Sequence, residues 1–276
     1  MELGTVVWIA NGLEPAAPGA HYPNLRAETL RDEIAWARDF GFSGLQIGWR
    51  GEAPLEPAEI VKTFAQERVE IVAGSAYTDF LSAQHNWPCK DLAAVKEMIA
   101  ATAALGTDVA VTWGGFGDPS DEHNQQVVRD ALAEAARCAE QHRVKLALEL
   151  YDQCVYGTVE SITALADELG TDAIGVMMDP PNTMKESDVA DLPAYYARLM
   201  QITGKRLFAA HAKGVAFEDG QRKLPGPHEG VQDYVAYIRA LAAAGFDGHL
   251  LVEHVTRETV GPARDFVAAK IEEALG

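Results

Sequence analysis

Residues 144–179 read VKLALELYDQCVYGTVESITALADELGTDAIGVMMD, and this stretch decides the fold. Two short apolar runs, 144–150 and 173–178, flank a segment at 159–169 whose apolar residues recur at helical spacing. That segment ends in Leu169-Gly170, a glycine where a helix C′ residue belongs. Strand, helix and strand in this order form a parallel unit, because parallel neighbours need a crossover between them. The pattern extends both ways along the chain. Further strands are expected at 3–9, 44–48, 69–76, 108–113, 206–211 and 248–253, and helical periodicity marks 27–40, 91–105, 125–142, 192–203, 231–244 and 262–275. Phe40-Gly41, Leu105-Gly106 and Ala244-Gly245 repeat the stop signal. Eight strands alternating with helices predict a single (β/α)8 TIM barrel, for which 276 residues suffice, with residues 1–276 as one domain and no linker dividing them. A doubly wound dinucleotide fold is disfavoured, since the first strand runs into Asn11-Gly12-Leu13 without a G-x-G-x-x-G turn.

Charge narrows the partners. Lys and Arg number 23 against 41 Asp and Glu, a formal net charge of −18 that repels phosphate backbones and anionic lipid surfaces. Neither nucleic acid nor a membrane is expected as a partner, while a homo-oligomer is compatible with the sequence. The opening MELGTVVWIANG lacks a basic n-region and meets Glu14 and Pro15 early, so no signal peptide is read there, and no window reaches the roughly 18 apolar residues of a membrane span. Cys89, Cys138 and Cys154 form no CxxC pair and are read as buried or inert thiols in a reducing compartment, which sets the expected location as the cytoplasm.

In a barrel of this kind chemistry sits at the C-terminal ends of the strands. The last four predicted strands end in Glu149, Asp179, His211 and Glu253, each a ligand-type side chain closing an apolar run. One such residue is commonly a helix cap or an ion-pair partner; four on consecutive strands point to a shared divalent metal, since lone buried charges are costly. Two Glu, one Asp and one His form an oxygen-rich set suited to Mn²⁺, placed first, or to Mg²⁺, Co²⁺ or Fe²⁺, rather than to a thiolate-rich structural zinc site. If Glu149 points inward so do Ala147 and Lys145, and Asp179 takes Met177 and Gly175 with it. Crowded carboxylates further predict that Asp179→Asn would cost little folding stability, or even raise it.

The stretches LALELYD (146–152), GVMMDPPN (175–182), AAHAKG (209–214) and LPGPHEGVQDYVAYIRALAAAGFDGHLLVEH (224–254) resemble the xylose-isomerase-like TIM barrels, a family that includes hydroxypyruvate isomerases, ketose 3-epimerases, inosose dehydratases and, more remotely, endonuclease IV. The resemblance covers nearly the whole chain. It implies metal ligation by Glu149, Asp179, His211 and Glu253, with Glu149 and Glu253 also acting as the acid/base pair. Two positions depart from the common pattern: Asn182 stands where many members carry a substrate-touching His, and Gly214 follows His211-Ala212-Lys213 in place of Asp. Abasic-site cleavage is a poor alternative, because Asn182 removes a further metal-binding His and the charge is −18.

A divalent cation on two vicinal oxygens of an α-hydroxy ketone or aldehyde favours loss of the intervening proton, for which a base must stand beside that carbon. Return of the proton to the opposite face gives epimerisation; return to the next carbon gives isomerisation. Departure of a β-hydroxyl instead gives a dehydratase, and a non-catalytic sugar-binding or scaffold subunit of a heteromeric enzyme is the alternative outside enzymes. The expected substrate is an unphosphorylated sugar or small keto-acid, because no basic cradle for phosphate is visible. Candidate substrate contacts are Asn182, Lys213, Trp113, Trp8, His85 in the polar loop 82–88, and His228 before the seventh helix, with Tyr77 as a further aromatic at the mouth. Lys213 shares the parity of His211 and is read either as a substrate contact or as the partner of a neighbouring acid. His254 should face away from the metal if the last strand continues.

Overall fold

The computed structural model describes residues 1–10, 24–25, 30–50, 56–76, 80–81, 92–256 and 258–276, those at 6–10, 24–25, 33 and 49–50 by backbone alone. Eight strands of the described residues form the barrel, in chain order β1 (Glu2–Ala10), β2 (Gly44–Arg50), β3 (Glu70–Ser75), β4 (Val109–Trp113), β5 (Lys145–Glu149), β6 (Ile174–Met178), β7 (Leu207–Ala212) and β8 (His249–Val252). Each pairs in parallel with the next, and β8 returns to β1 through Glu2↔His249 to Thr5↔Val252, which closes the sheet into a (β/α)8 barrel. The two-residue strand Asn24–Leu25 pairs on the edge of β1. The helices between them are α1 (Leu30–Asp39), α2 (Pro57–Glu67), α3 (Leu92–Ala104), α4 (Glu122–His142), α5 (Val159–Leu169), α6 (Leu192–Thr203), α7 (Tyr234–Ala243) and α8 (Val260–Leu275). Among the described residues no helix is long and apolar enough to cross a membrane.

Local chemistry sets the boundaries. Thr158 and Ser161 form a capping box at the start of α5, and Gly170 closes it in the left-handed region at φ 63°. Asp121 accepts from the backbone N–H groups of His123 and Asn124 to start α4, and Asp233 does the same for Ala236 in α7. Helix α2 is not among the stretches expected from the sequence, although Ile60, Phe64 and Glu67 are buried at helical spacing. Its start is marked by Pro57 in the first turn, but its stop falls on Arg68, left-handed at φ 58°, instead of on a glycine.

Alternation along the strands splits the core in two. Ala73, Val109, Val111, Ala147, Met177, Ala209 and Leu251 cluster inside the barrel. Their neighbours Leu146, Leu148, Val176, Met178, Ala210 and Leu250 point outward and pack with helix residues such as Ile99, Leu132, Ile162, Leu199 and Ile238. The inner cluster is the platform beneath the candidate site.

Candidate metal centre

Two residues beyond Ala147, Met177, Ala209 and Leu251 on the same four strands stand Glu149, Asp179, His211 and Glu253. A strand repeats its side-chain direction every second residue, so all four turn inward immediately above that apolar layer. The ladder holds this parity past the last strand residue, because the Glu253 N–H still donates to the Ala212 carbonyl at 3.0 Å. All four are buried, and one ligand-capable atom from each lies within 4.8 Å of the others.

His211 Nδ1 faces the three acids, at 3.2 Å from Asp179 Oδ2, 3.6 Å from Glu253 Oε2 and 3.7 Å from Glu149 Oε1. Its Nε2 points the other way, 3.3 Å from Gln46 Oε1 on β2. Lys213, also buried, places Nζ 2.7 Å from both Asp179 Oδ2 and Glu253 Oε2 and 4.0 Å from Glu149 Oε1. After β6 the turn Pro180–Asn182 folds back, and the Asn182 amide donates to Glu149 Oε1 and Asp179 Oδ2, each at 3.0 Å. Of the two readings of Lys213, the ion pair is therefore the contact present. The expectation built on carboxylate repulsion also changes, because Lys213 and His211 interleave the acids.

Burial pushes the Glu149 carboxyl up, against the pull of His211 beside it. Burial acts the same way on Asp179 and Glu253, but Lys213 and His211 outweigh it and hold both below the usual carboxylate range. For His211, burial favours the neutral ring and the surrounding carboxylates overcome it, raising its pKa to about 10. Among the described residues, Asp179 Oδ1 is buried without a hydrogen-bond partner. An acceptor left over inside a set of three carboxylates and one imidazole is what a hard or borderline divalent ion would satisfy, so the residues present fit such an ion.

Helix α7 supports the set from behind. The fully buried Tyr237 hydroxyl lies 3.2 Å from the carbonyl oxygens of Met178 and His211, and Tyr234 donates to the Lys213 carbonyl at 2.9 Å. Gly214 also has a packing reason. Its N–H donates to the Pro225 carbonyl at 2.9 Å, and a β-carbon there would run into the carbonyl oxygens of Gly226 and Glu229, which leaves no room for the Asp of the common pattern.

The remaining candidates divide. Trp113, opposite Glu149 in the β4–β5 register, forms a half-buried cluster with Phe116 and Tyr151 at centroid distances of 5.5 to 5.8 Å. Trp8 lies in β1 opposite Gly48, with its side chain outside the description; His85 and Tyr77 fall outside the described residues. His228 is partly buried in the loop before α7 and contacts no member of the set in any described bond. Strand β8 ends before His254, which takes φ 55° and sets Nδ1 2.7 Å from the Leu224 carbonyl and Nε2 4.0 Å from Glu253 Oε2. Sequence reading missed Gln46, whose signal is one amide at an inward position of the apolar run 44–48. It also missed Arg222, which sits on the hairpin Ala216–Glu218/Gln221–Lys223 and binds both carboxylate oxygens of Asp152 at 2.8 Å.

Three solved structures share the architecture over nearly full length. L-ribulose 3-epimerase is 18% identical with a TM-score of 0.71, covering 99% of this chain and 95% of that one. The 3-keto-D-glucoside 4-epimerase of E. coli is 17% identical with a TM-score of 0.70, covering 98% of each chain. A xylose isomerase-like TIM barrel protein from Mycobacterium smegmatis, in complex with magnesium, is 17% identical with a TM-score of 0.70, covering 100% of this chain and 98% of that one. At these identities the likeness is one of fold. No curated protein matches the sequence. The sequence model of the xylose isomerase-like TIM barrels matches residues 34–273, and the chain belongs to that family.

Proposed function

We propose that the chain is a divalent-metal-dependent isomerase or epimerase acting on a sugar, keto-sugar or small hydroxy-keto acid, with Glu149 and Glu253 as its acid/base pair. One observation carries this reading: two glutamates on non-adjacent strands meet an aspartate and a histidine at one buried point. Held by Glu149, Asp179, His211 and Glu253, a divalent ion such as Mn²⁺ supplies positive charge where negative charge develops on the oxygens of an α-hydroxycarbonyl.

The chain's own residues do the rest. Strands β6 and β7 separate Glu149 from Glu253, so the two carboxyl groups approach a substrate carbon from different sides. One takes the proton from that carbon and the other returns it, to the opposite face or to the next carbon. Asn182 and Lys213 hold the carboxylates in place. The Trp113, Phe116 and Tyr151 cluster offers an apolar wall beside Glu149 to the C–H face of a sugar. A net charge of −18 disfavours a phosphorylated substrate or nucleic acid. Sugar epimerases among the structures of like fold agree with this reading.

The test is a screen of ketoses, keto-sugars and inososes with Mn²⁺, Mg²⁺ or Co²⁺ in deuterated water, followed by NMR. Deuterium appearing next to the carbonyl of an epimer or isomer is the expected result. Deuterium uptake with loss of water would make the chain a dehydratase. Absence of exchange with every substrate and metal would overturn the reading.

A further inference from the structure

Gln46 is fully buried and points into the barrel, since the register pairs it with Ala73, a member of the inner cluster. The other residues of that cluster are apolar, and a carboxamide among them is costly unless it is hydrogen-bonded. Its oxygen lies 3.3 Å from His211 Nε2, across a sequence separation of 165 residues. A carboxamide oxygen can only accept, so this contact requires the proton on Nε2. When the ring gives up one proton to a cation, the Nε2 proton held by Gln46 stays and the lone pair opens on Nδ1, the nitrogen that faces Asp179, Glu253 and Glu149.

We propose that Gln46 is a positioning residue of the metal centre, fixing the tautomer and ring orientation of His211 so that Nδ1 is the ligating atom. The proposal rests on the reading of Glu149, Asp179, His211 and Glu253 as a divalent-metal site. Its physical basis is general: a ligating histidine whose second N–H is held by a carbonyl or carboxylate is a fixed and more basic ligand, and loss of that acceptor costs about 10–100-fold in metal affinity. An amide suits this place in a further respect. It supplies the acceptor without adding a fourth negative charge to a buried set that already holds three carboxylates.

The test compares wild type, Gln46→Met and Gln46→Glu by calorimetric titration with Co²⁺, by the visible spectrum of the bound Co²⁺, and by thermal melting. Methionine matches the length of glutamine but removes the acceptor; glutamate restores it. Gln46→Met is expected to melt cooperatively, to bind Co²⁺ about 10–100-fold more weakly and to shift the Co²⁺ absorption bands, while Gln46→Glu recovers both affinity and spectrum. Should Gln46→Met not fold, nitrogen-15 NMR of histidine-labelled wild type loaded with Zn²⁺ decides by itself, with Nε2 protonated and Nδ1 coordinated as the expected result. Wild-type affinity and an unchanged spectrum in Gln46→Met, or coordination through Nε2, would overturn the role of Gln46 and leave the metal site standing. Failure of the wild type to bind any of these ions would overturn the metal reading itself, and this proposal with it.

Discussion

The Asn182 amide donates to Glu149 Oε1 at 3.0 Å, and through this bond the turn after β6 holds a carboxylate that belongs to β5. The same amide reaches Asp179 Oδ2, so a single neutral donor serves two buried acids. Hydrogen bonds to charged groups are worth about 1.5–3 kcal/mol. Asn182→Ala should therefore lower turnover by about 10–100-fold while the melting transition stays cooperative. Asn182→His, which keeps an N–H donor, should lose less. Steady-state kinetics of both variants beside circular-dichroism melts check this; wild-type turnover in Asn182→Ala would remove Asn182 from the site's machinery.

Lys213 changes what is expected of Asp179. With Nζ 2.7 Å from Asp179 Oδ2 and from Glu253 Oε2, the ammonium loses one of two close counter-charges in Asp179→Asn. Breaking a buried pair costs about 3–5 kcal/mol, and Glu253 remaining in place puts the loss near about 3 kcal/mol. Urea unfolding of the metal-free variant should show that loss, and titration with Mn²⁺ should show no tight binding. An unchanged or raised midpoint would mean that carboxylate repulsion dominates the site after all.

Arg222 ties together the loops around the barrel mouth. Its guanidinium grips Asp152 after β5 and lies 3.3 Å from the Met184 carbonyl after β6, while Arg222 itself is on the hairpin that follows β7. The pair is partly exposed, so Arg222→Ala should cost under about 1 kcal/mol of stability. The hairpin should nonetheless become the first point of cleavage in limited proteolysis, and KM should rise more than kcat falls. Unchanged proteolysis and unchanged KM would make the pair a surface feature without consequence.

Alkaline pH should also destabilise the barrel through buried groups other than the carboxylates. Burial pushes the Cys154 thiol above its ordinary value of 9.0 and the Tyr196 and Tyr234 phenols above 10.0. The folded chain thus keeps protons that the unfolded chain releases. Stability is complete below those ordinary values and falls as pH rises through and beyond them, by up to about 1.4 kcal/mol per pH unit for each group. Urea midpoints at pH 8 and pH 10.5 should differ accordingly, and Cys154 should react with a thiol reagent only on unfolding. A midpoint that does not move would contradict the burial of these groups.

The barrel was legible because its strands and most of its helices carry their own punctuation. Glycines at 41, 106, 170 and 245 all adopt positive φ, as the helix-stop reading requires. Helix α2 was missed although Ile60, Phe64 and Glu67 lie at helical spacing. Its stop on Arg68, like that of α4 on Arg143, carries no glycine signal, and its 11 residues give a shorter periodic run than the 21 of α4. The four strand-terminal candidates stood out because each closes an apolar run, and period-two alternation then brings them to one side of one layer. The surroundings of that set depend on distance across the barrel, which periodicity does not encode. No local pattern pairs Gln46 with His211, sends Asn182 back to Glu149 or decides that Lys213 faces two acids. Gly214 reads as a departure from a motif until the loop at 225–229 shows what fills the space beside it.

Proton transfer by two glutamates is the central claim, and solvent deuterium uptake measured beside product formation in Glu149→Gln and Glu253→Gln tests it most directly. Each variant keeps one oxygen able to bind a metal but loses a base, and should lose at least about 10² in turnover by the usual worth of general acid/base catalysis. With metal content checked by mass spectrometry, one variant should still exchange substrate hydrogen with solvent after product formation has stopped, because the step that takes the proton survives the loss of the group that returns it. Wild-type turnover in either variant with its metal in place would reduce that glutamate to a ligand and contradict the two-glutamate mechanism.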